Sequence, residues 1–291
     1  MPTDLTNWMG AVPGSKKLSE LSIPGTHDSG AKDPQADLDL TKNRLRTQTR
    51  SIAEQLTDGI RFLDIRVGYT NGAFALYHED VSLGLTFQSV LTTCSNFLTA
   101  QPTETIIMSV KKEDDAPSSG NPAGKSFQAR FSDYATAAGI FYLQNAIPQL
   151  HQVRGKIVLF RRFELTANTA AAVGIDAYNG FPNNRTRTIA GPPELRIQDY
   201  YDQTGVGSRA KKWNKIRKLL VEASAAGNAD VLFVNFGSGA GVIENDFPDR
   251  VAADINPQLT TYFNDHTSGR FGIVITDFET AALNTLIIRT N

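Results

Sequence analysis

The chain has 291 residues, 41% of them hydrophobic, enough for one large α/β domain or two smaller ones. Its 29 Lys and Arg nearly cancel its 30 Asp and Glu, so no global field recruits nucleic acid or an anionic membrane. The one cysteine, Cys94, excludes an internal disulfide framework and a cysteine-based zinc site, and no apolar stretch approaches the roughly 20 residues that span a bilayer.

From the N-terminus, Met1 to Leu18 shows no basic region followed by an apolar run, so no leader is expected in the chain as given. That leaves the cytosol, or secretion with the leader already removed. Short β-rich runs then predict eight strands, near Leu18–Ile23, Ile60–Arg66, Ala73–His78, Thr105–Lys111, Lys156–Arg162, Leu195–Asp199, Val231–Asn235 and Phe271–Asp277. Several are continuous hydrophobics, as parallel strands buried on both faces require. Phe87, Val90, Leu91, Cys94, Phe97 and Leu98 share one helical stripe, which makes Cys94 a small buried hydrophobe. A second stripe holds Trp213, Ile216, Leu220 and Ala223. Alternating strands and helices predict a single-domain (β/α)₈ barrel over residues 1–291. It would be imperfect: residues 60–78 leave no room for a helix between the second and third strands, and Thr166–Pro193 reads as a long loop.

In such a barrel the active site lies at the C-terminal strand ends. His27 and Asp28 follow the first predicted strand, and Asp64 and Arg66 close the second. His78 ends the third, Lys111 the fourth, Arg161 and Arg162 the fifth, Asp199 the sixth, Asn235 the seventh and Asp277 the eighth. Taken singly, each has a structural explanation. Their convergence on one mouth points to a ligand, because burying so many ionisable groups without one is expensive. His151 and His266 fall in polar stretches away from strand ends and are read as surface residues.

Two histidines with cations between them suit attack on a phosphodiester, one imidazole as base and the other as acid. Arg66 and Lys111 can stabilise charge on phosphoryl oxygens, and Asp277 can hold a histidine in its tautomer. The alternative is a divalent metal held by His27, Asp28, Asp64 and His78. A guanidinium and an ammonium in the same mouth disfavour it, and no metal or other cofactor is expected.

Several motifs resemble the bacterial phosphatidylinositol-specific phospholipases C (the X-domain family). They are Ser22-Ile23-Pro24-Gly25-Thr26-His27-Asp28-Ser29-Gly30, Phe62-Leu63-Asp64-Ile65-Arg66, Tyr77-His78 and Glu104 to Glu113. The likeness continues through Arg154 to Phe163, Ile197-Gln198-Asp199-Tyr200-Tyr201, Ile255-Asn256-Pro257 and Ile275-Thr276-Asp277-Phe278. The resemblance implies a distorted, partly open (β/α)₈ barrel that cleaves phosphatidylinositol to diacylglycerol and inositol 1,2-cyclic phosphate. It makes His27, supported by Asp277, the base on the inositol 2-hydroxyl, and His78, assisted by Asp28, the acid. Arg66 would contact the phosphate, with Asp64 beside it. Lys111, Arg162, Asp199 and Tyr201 match inositol-binding positions. Calcium-dependent relatives carry acidic ligands where Arg66 and Lys111 stand, so the resemblance implies the metal-independent branch.

The resemblance also favours secretion and a monomer acting peripherally on phosphatidylinositol membranes. Bacillus-type relatives display tryptophans on a short helix and a rim loop. Here Asp37–Arg50 offers only Leu38, Leu40 and Leu45, and Gly237–Phe247 offers Val242, Ile243 and Phe247. The basic run Lys211 to Lys218 is read as a barrel helix with a solvated cationic face and Trp213 in the core, not as a membrane helix. Two further readings compete. One is a metal-dependent enzyme, either a calcium-dependent phospholipase C or a glycerophosphodiesterase-like barrel. The other is an inactive inositol-lipid binding barrel.

Overall fold

The continuous apolar runs become strands of one curled sheet in a computed structural model that describes all residues except 1–3, 117–124, 167–172, 206, 226, 228 and 229. In chain order the first elements are β1 (Ser22–Thr26), α1 (Asp39–Leu45), α2 (Ile52–Thr57), β2 (Phe62–Thr70), β3 (Ala73–His78), β4 (Val81–Thr86), α3 (Phe87–Ala100), β5 (Ile106–Lys112) and α4 (Phe127–Ala138). There follow β6 (Phe141–Tyr142), α5 (Leu150–Val153), β7 (Ile157–Arg162), β8 (Ile175–Asp176), β9 (Arg185–Ile189), β10 (Glu194–Asp199), α6 (Ser208–Ser224), β11 (Val231–Phe236), α7 (Pro248–Asp265), β12 (Gly272–Thr276) and α8 (Ala281–Ile288). The sheet runs β6-β7-β5-β2-β1-β12-β11-β10-β9, parallel from β6 through β10. β9 joins β10 antiparallel, and the two ends do not pair with each other. The barrel is open.

Three features depart from the expected eight staves. The first strand begins at Ser22, because Leu18–Glu20 winds into a 3-10 turn. The third expected strand, Ala73–His78, is no stave: it folds back antiparallel on β2 and continues into β4. A two-residue link, Asn71-Gly72, makes that reversal, with both residues at positive φ as a tight hairpin requires. The remaining stave position beside β7 is split between two dipeptides. β6 pairs with Ile157 and Val158, and β8 with Phe160 and Arg161. The stretch read as a loop therefore holds β8 and β9 in its described part; residues 167–172 of it lie outside the described residues.

Helix α3 shows how the stripe reading works. Thr86 caps it by accepting from Ser89 N, an interaction worth about 1 kcal/mol, and Phe87, Val90, Leu91, Cys94 and Leu98 are buried as expected. On α6 the pattern misleads. Ile216, Leu220 and Ala223 are buried, but Trp213 is only partly so, edge-on to Tyr262, and Lys212 is buried instead. The cationic face is thus not wholly solvated. His151 and His266 are exposed.

The N-terminal end of the barrel is sealed by the 3-10 helix Leu5–Ala11. Its Trp8 is buried and donates Nε1–H to Gly59 O at 3.0 Å. There Arg61 and Glu104, both fully buried, pair at 2.9 Å. Arg61 also donates to the carbonyls of Leu56 and Ile60 at 2.8 Å and of Thr6 at 2.7 Å. Burial lowers its pKa to about 10 against the pull of Glu104, so it stays charged at neutral pH.

Candidate active site

The loop after β1 is held in an unusual backbone. Asp28 has φ 39°, a left-handed conformation that a non-glycine residue adopts at a cost of about 1–3 kcal/mol. Side chains clamp it: Thr47 Oγ1 donates to Asp28 O at 3.0 Å, and Gln48 Nε2 to His27 O at 2.9 Å and Thr276 O at 3.1 Å. A Cβ at position 30 would stand 2.5 Å from Leu76 Cδ2, so any larger residue there would have to displace that buried side chain.

The β1–β12 pairing sets Thr26 opposite Thr276, so the next residues, His27 and Asp277, meet. His27 Nδ1 lies 2.8 Å from Asp277 Oδ1. A carboxylate only accepts, so Nδ1 carries the proton of the neutral ring and Nε2 offers a lone pair. Arg66 NH2 stands 2.6 Å from that Nε2.

His78 arrives by a different route. β2 overshoots the mouth by Val67–Thr70, and the antiparallel return, pairing Val67 with Leu76, brings Tyr77 and His78 back down to the level of Arg66. His78 Nδ1 is 2.8 Å from Leu45 O and 2.9 Å from Asp28 Oδ2. The carbonyl fixes the proton on Nδ1, leaving Nε2 for the cavity. Burial acts to lower the pKa of His78, but the Asp28 carboxylate outweighs it and the net shift is upward. Asp28 is held low in return: burial raises it, and His78 and Arg66 pull it down further. The two imidazoles are 6.4 Å apart and nearly perpendicular.

A fan of alternating charge lies between and beside them. Asp64 is fully buried under Arg66 Nε at 3.2 Å, Arg162 NH1 at 3.2 Å and Ser109 Oγ at 3.1 Å. Burial opposes its ionisation, yet Arg66 and Arg162 keep its carboxyl well below the usual range. Lys111 Nζ contacts Glu113 Oε1 at 2.9 Å, and Glu113 Oε2 lies 3.8 Å from Arg66 NH1. Burial and the nearby Arg66 lower the Lys111 pKa. Asp199 adds its field to Arg66 and Arg162 from the β10 end, and Tyr201 donates its hydroxyl to Asn183 Oδ1 at 2.5 Å. His27, Arg66, His78, Lys111, Arg162 and Tyr201 open onto one cavity of about 740 Å³, with Asp199 at its wall.

Asp28, Asp64 and Asp277 stand behind that surface, buried. Two strand-end residues point elsewhere. Arg161 alternates to the opposite face of β7 from Arg162 and binds the carbonyls of Val173 and Phe163 and the carboxylate of Asp176. Asn235 is a structural latch, donating to Ile216 O and accepting from Gln198. Sequence reasoning assigned no part to Glu113, although it sits two residues after Lys111, the spacing that keeps to one side of an extended chain. It also missed Phe181, whose ring lies 3.7 Å from the Arg162 guanidinium, and the Arg44–Glu79 pair at the rim, doubly bonded at 3.0 and 2.6 Å. Neither has a sequence signal: Phe181 sits in an aperiodic stretch, and Arg44 and Glu79 are 35 residues apart.

Of the expected rim residues, Leu45, the last residue of α1, and Phe247, just before α7, are buried, at 0% and 5% exposure. Leu38, Leu40, Val242 and Ile243 are exposed. Among the described residues no helix is long and apolar enough to cross a membrane, and no three His, Cys, Asp or Glu side chains gather as a metal-holding group.

A model of the family described as phosphatidylinositol-specific phospholipase C, X domain, matches residues 21–163. A 1-phosphatidylinositol phosphodiesterase of Staphylococcus aureus (strain Newman) is 31% identical over 94% of this chain and 88% of its own length. That of Listeria monocytogenes is 31% identical over 98% of this chain and 84% of its own. Among solved structures, a pentafluoro-Phe-containing phosphatidylinositol-specific phospholipase C from S. aureus superposes with a TM-score of 0.86 at 28% identity, covering 99% of this chain and 98% of that one. The L. monocytogenes enzyme superposes with a TM-score of 0.80 at 31% identity, covering 99% of both chains. The chain belongs to the phosphatidylinositol-specific phospholipase C family.

Proposed function

We propose that the protein cleaves phosphatidylinositol to diacylglycerol and inositol 1,2-cyclic phosphate by histidine acid–base catalysis without a metal. The observation that carries this reading is the pair of facing imidazoles, each with Nδ1 committed to an acceptor, with Arg66 NH2 against His27 Nε2 and His78 Nε2 left for the cavity. His27 Nε2 takes the proton of the inositol 2-hydroxyl as its oxygen attacks phosphorus. The bond from phosphorus to the diacylglycerol oxygen breaks, and His78, charged through Asp28, returns a proton to that oxygen. Each transfer is worth about 10²–10⁴-fold. Arg66 faces the charge that grows on the phosphoryl oxygens, in a mouth where burial strengthens the interaction. Asp277 supports the imidazolium on His27. Asp64 fixes Arg66 and Arg162.

Lys111, Arg162, Asp199 and Tyr201 line the part of the cavity suited to inositol. Charged donors and an acceptor match a polyhydroxylated ring, and groups left unpaired would discriminate against other headgroups. Arg66 stands against His27 Nε2, the atom through which this ring would hold a divalent ion, which supports the metal-free reading. Leu38 and Leu40 at the start of α1, with Val242 and Ile243 before α7, form an apolar rim beside the mouth for peripheral contact with lipid. A secreted monomer fits this role.

The test is ³¹P NMR of products from phosphatidylinositol vesicles in EDTA. A cyclic phosphate as first product, at an unchanged rate, is expected. Loss of turnover in EDTA with recovery on adding calcium overturns the metal-free mechanism, and an acyclic first product overturns attack by the 2-hydroxyl.

A further inference from the structure

We infer that Lys212 is a positioning residue whose buried ammonium sets the charge balance of the Asp277–His27 pair from beneath the mouth. This rests on the reading of His27 as the base supported by Asp277.

Among Lys211, Lys212, Lys215, Arg217 and Lys218 on α6, Lys212 alone is buried, with 1% of its surface exposed. Among the described residues its Nζ has no hydrogen-bond partner, and neither has the buried Oδ2 of Asp277. α6 follows β10, so its N-terminal turns lie at the mouth. The carbonyl of Ile216, one turn further along the helix, is latched to β10 and β11 through Asn235 and Gln198. That latch fixes where the Lys212 stem enters. The charges acting on Lys212 are the carboxylates of Asp199, from the β10 end, and Asp277, from the β12 end. Burial lowers its pKa to about 8, against the pull of those two carboxylates. It is therefore mostly charged at neutral pH. Stability does not account for such a residue: an unpaired buried ammonium costs folding energy that an apolar side chain of the same length would not. Buried charges of this kind collect at functional sites.

The consequence for the chemistry has a definite sign. An ammonium within the field of Asp277 stabilises that carboxylate and opposes a second positive charge on His27. The other groups facing His27 are Arg66, Asp64, Asp28 and the second imidazole, His78. Lys212 thus works against the imidazolium that Asp277 favours, and leaves the base ready to accept a proton. The field of Asp199, the other carboxylate acting on it, bears on the inositol side of the cavity.

The test compares Lys212→Met, Lys212→Gln and Lys212→Arg with the parent in thermal melts and in pH profiles of kcat/KM. The Met variant should melt no lower than the parent. Its acid limb should move up by about 0.5–1 pH unit, with the alkaline limb little changed, because an imidazolium on His27 is then opposed by one charge fewer. Gln should move the limb the same way, and Arg should restore it. Folded Met and Gln variants whose acid limb stays in place overturn the inference, as does a rise in KM alone. His27→Ala, assayed alongside, separates the two levels. If it keeps near-normal turnover, the assignment of the base fails; if it is inactive while the limb stays in place, only the role of Lys212 fails.

Discussion

The buried charge at Arg61 and the buried charges at the mouth are handled in different ways. At the sealed end, Arg61 has no exposed surface and its donors reach Glu104 and backbone carbonyls. At the mouth, one carboxylate oxygen each of Glu113 and Asp277, and the ammonium of Lys212, are buried with no hydrogen-bond partner among the described residues. A saturated network specifies the fold, because removing one partner leaves a bare charge. An under-satisfied one is tolerable only where something else supplies the missing partners. The mouth therefore trades stability for readiness to bind. The two ends should be separable by mutation.

The largest expected effect is at the mouth. His27→Ala and His78→Ala should each lose about 10³-fold or more in release of soluble inositol phosphate from vesicles, with melting temperatures close to the parent's. Equal losses of stability and rate would erase the contrast. At the sealed end, Glu104→Gln should cost about 3–5 kcal/mol in denaturant unfolding by stranding Arg61, with kcat/KM little changed in the folded fraction.

A smaller effect distinguishes the two histidines. Asp28 raises the pKa of His78, which must be protonated to act as the acid, so Asp28→Asn should draw the alkaline limb of kcat/KM to lower pH. An unmoved limb would detach Asp28 from the acid. The smallest effect is at the rim: Leu38→Asp with Val242→Asp should weaken sedimentation with phosphatidylinositol vesicles severalfold and leave turnover of a soluble analogue intact. Equal losses on both substrates would place these residues in the site rather than on its edge.

Much of the mouth was legible in the sequence because barrel strands end on it. His27 follows a run of buried residues, and Lys111, Arg162 and Asp199 each interrupt one. The alternation of side chains was the harder part. Adjacent Arg161 and Arg162 look equivalent in a sequence and face opposite sides in the fold. Hydropathy likewise favoured Trp213 over Lys212 for the core. It could not register that a lysine stem can fill an interior position, as Lys212 does at 1% exposure. β9 escaped notice because Arg185–Ile189 alternates polar with polar, being an edge strand with little burial. Leu45 and Phe247 show the limit of reading loops by composition, since an apolar residue there anchors the loop as readily as it greets a membrane.

The hairpin that carries His78 has one more implication. Side chains alternate along a strand, so lengthening it by one residue would turn His78 to the other face, and two residues would shift it by about 6–7 Å. The spacing between the imidazoles can change only in such notches, apart from the small adjustment permitted by the irregular β3–β4 register near Ala75 and Tyr77. The span from attacked hydroxyl to departing oxygen is thus gauged by a count of backbone units. A substrate whose reacting atoms lie half a notch further apart would find no setting of this fold that serves it.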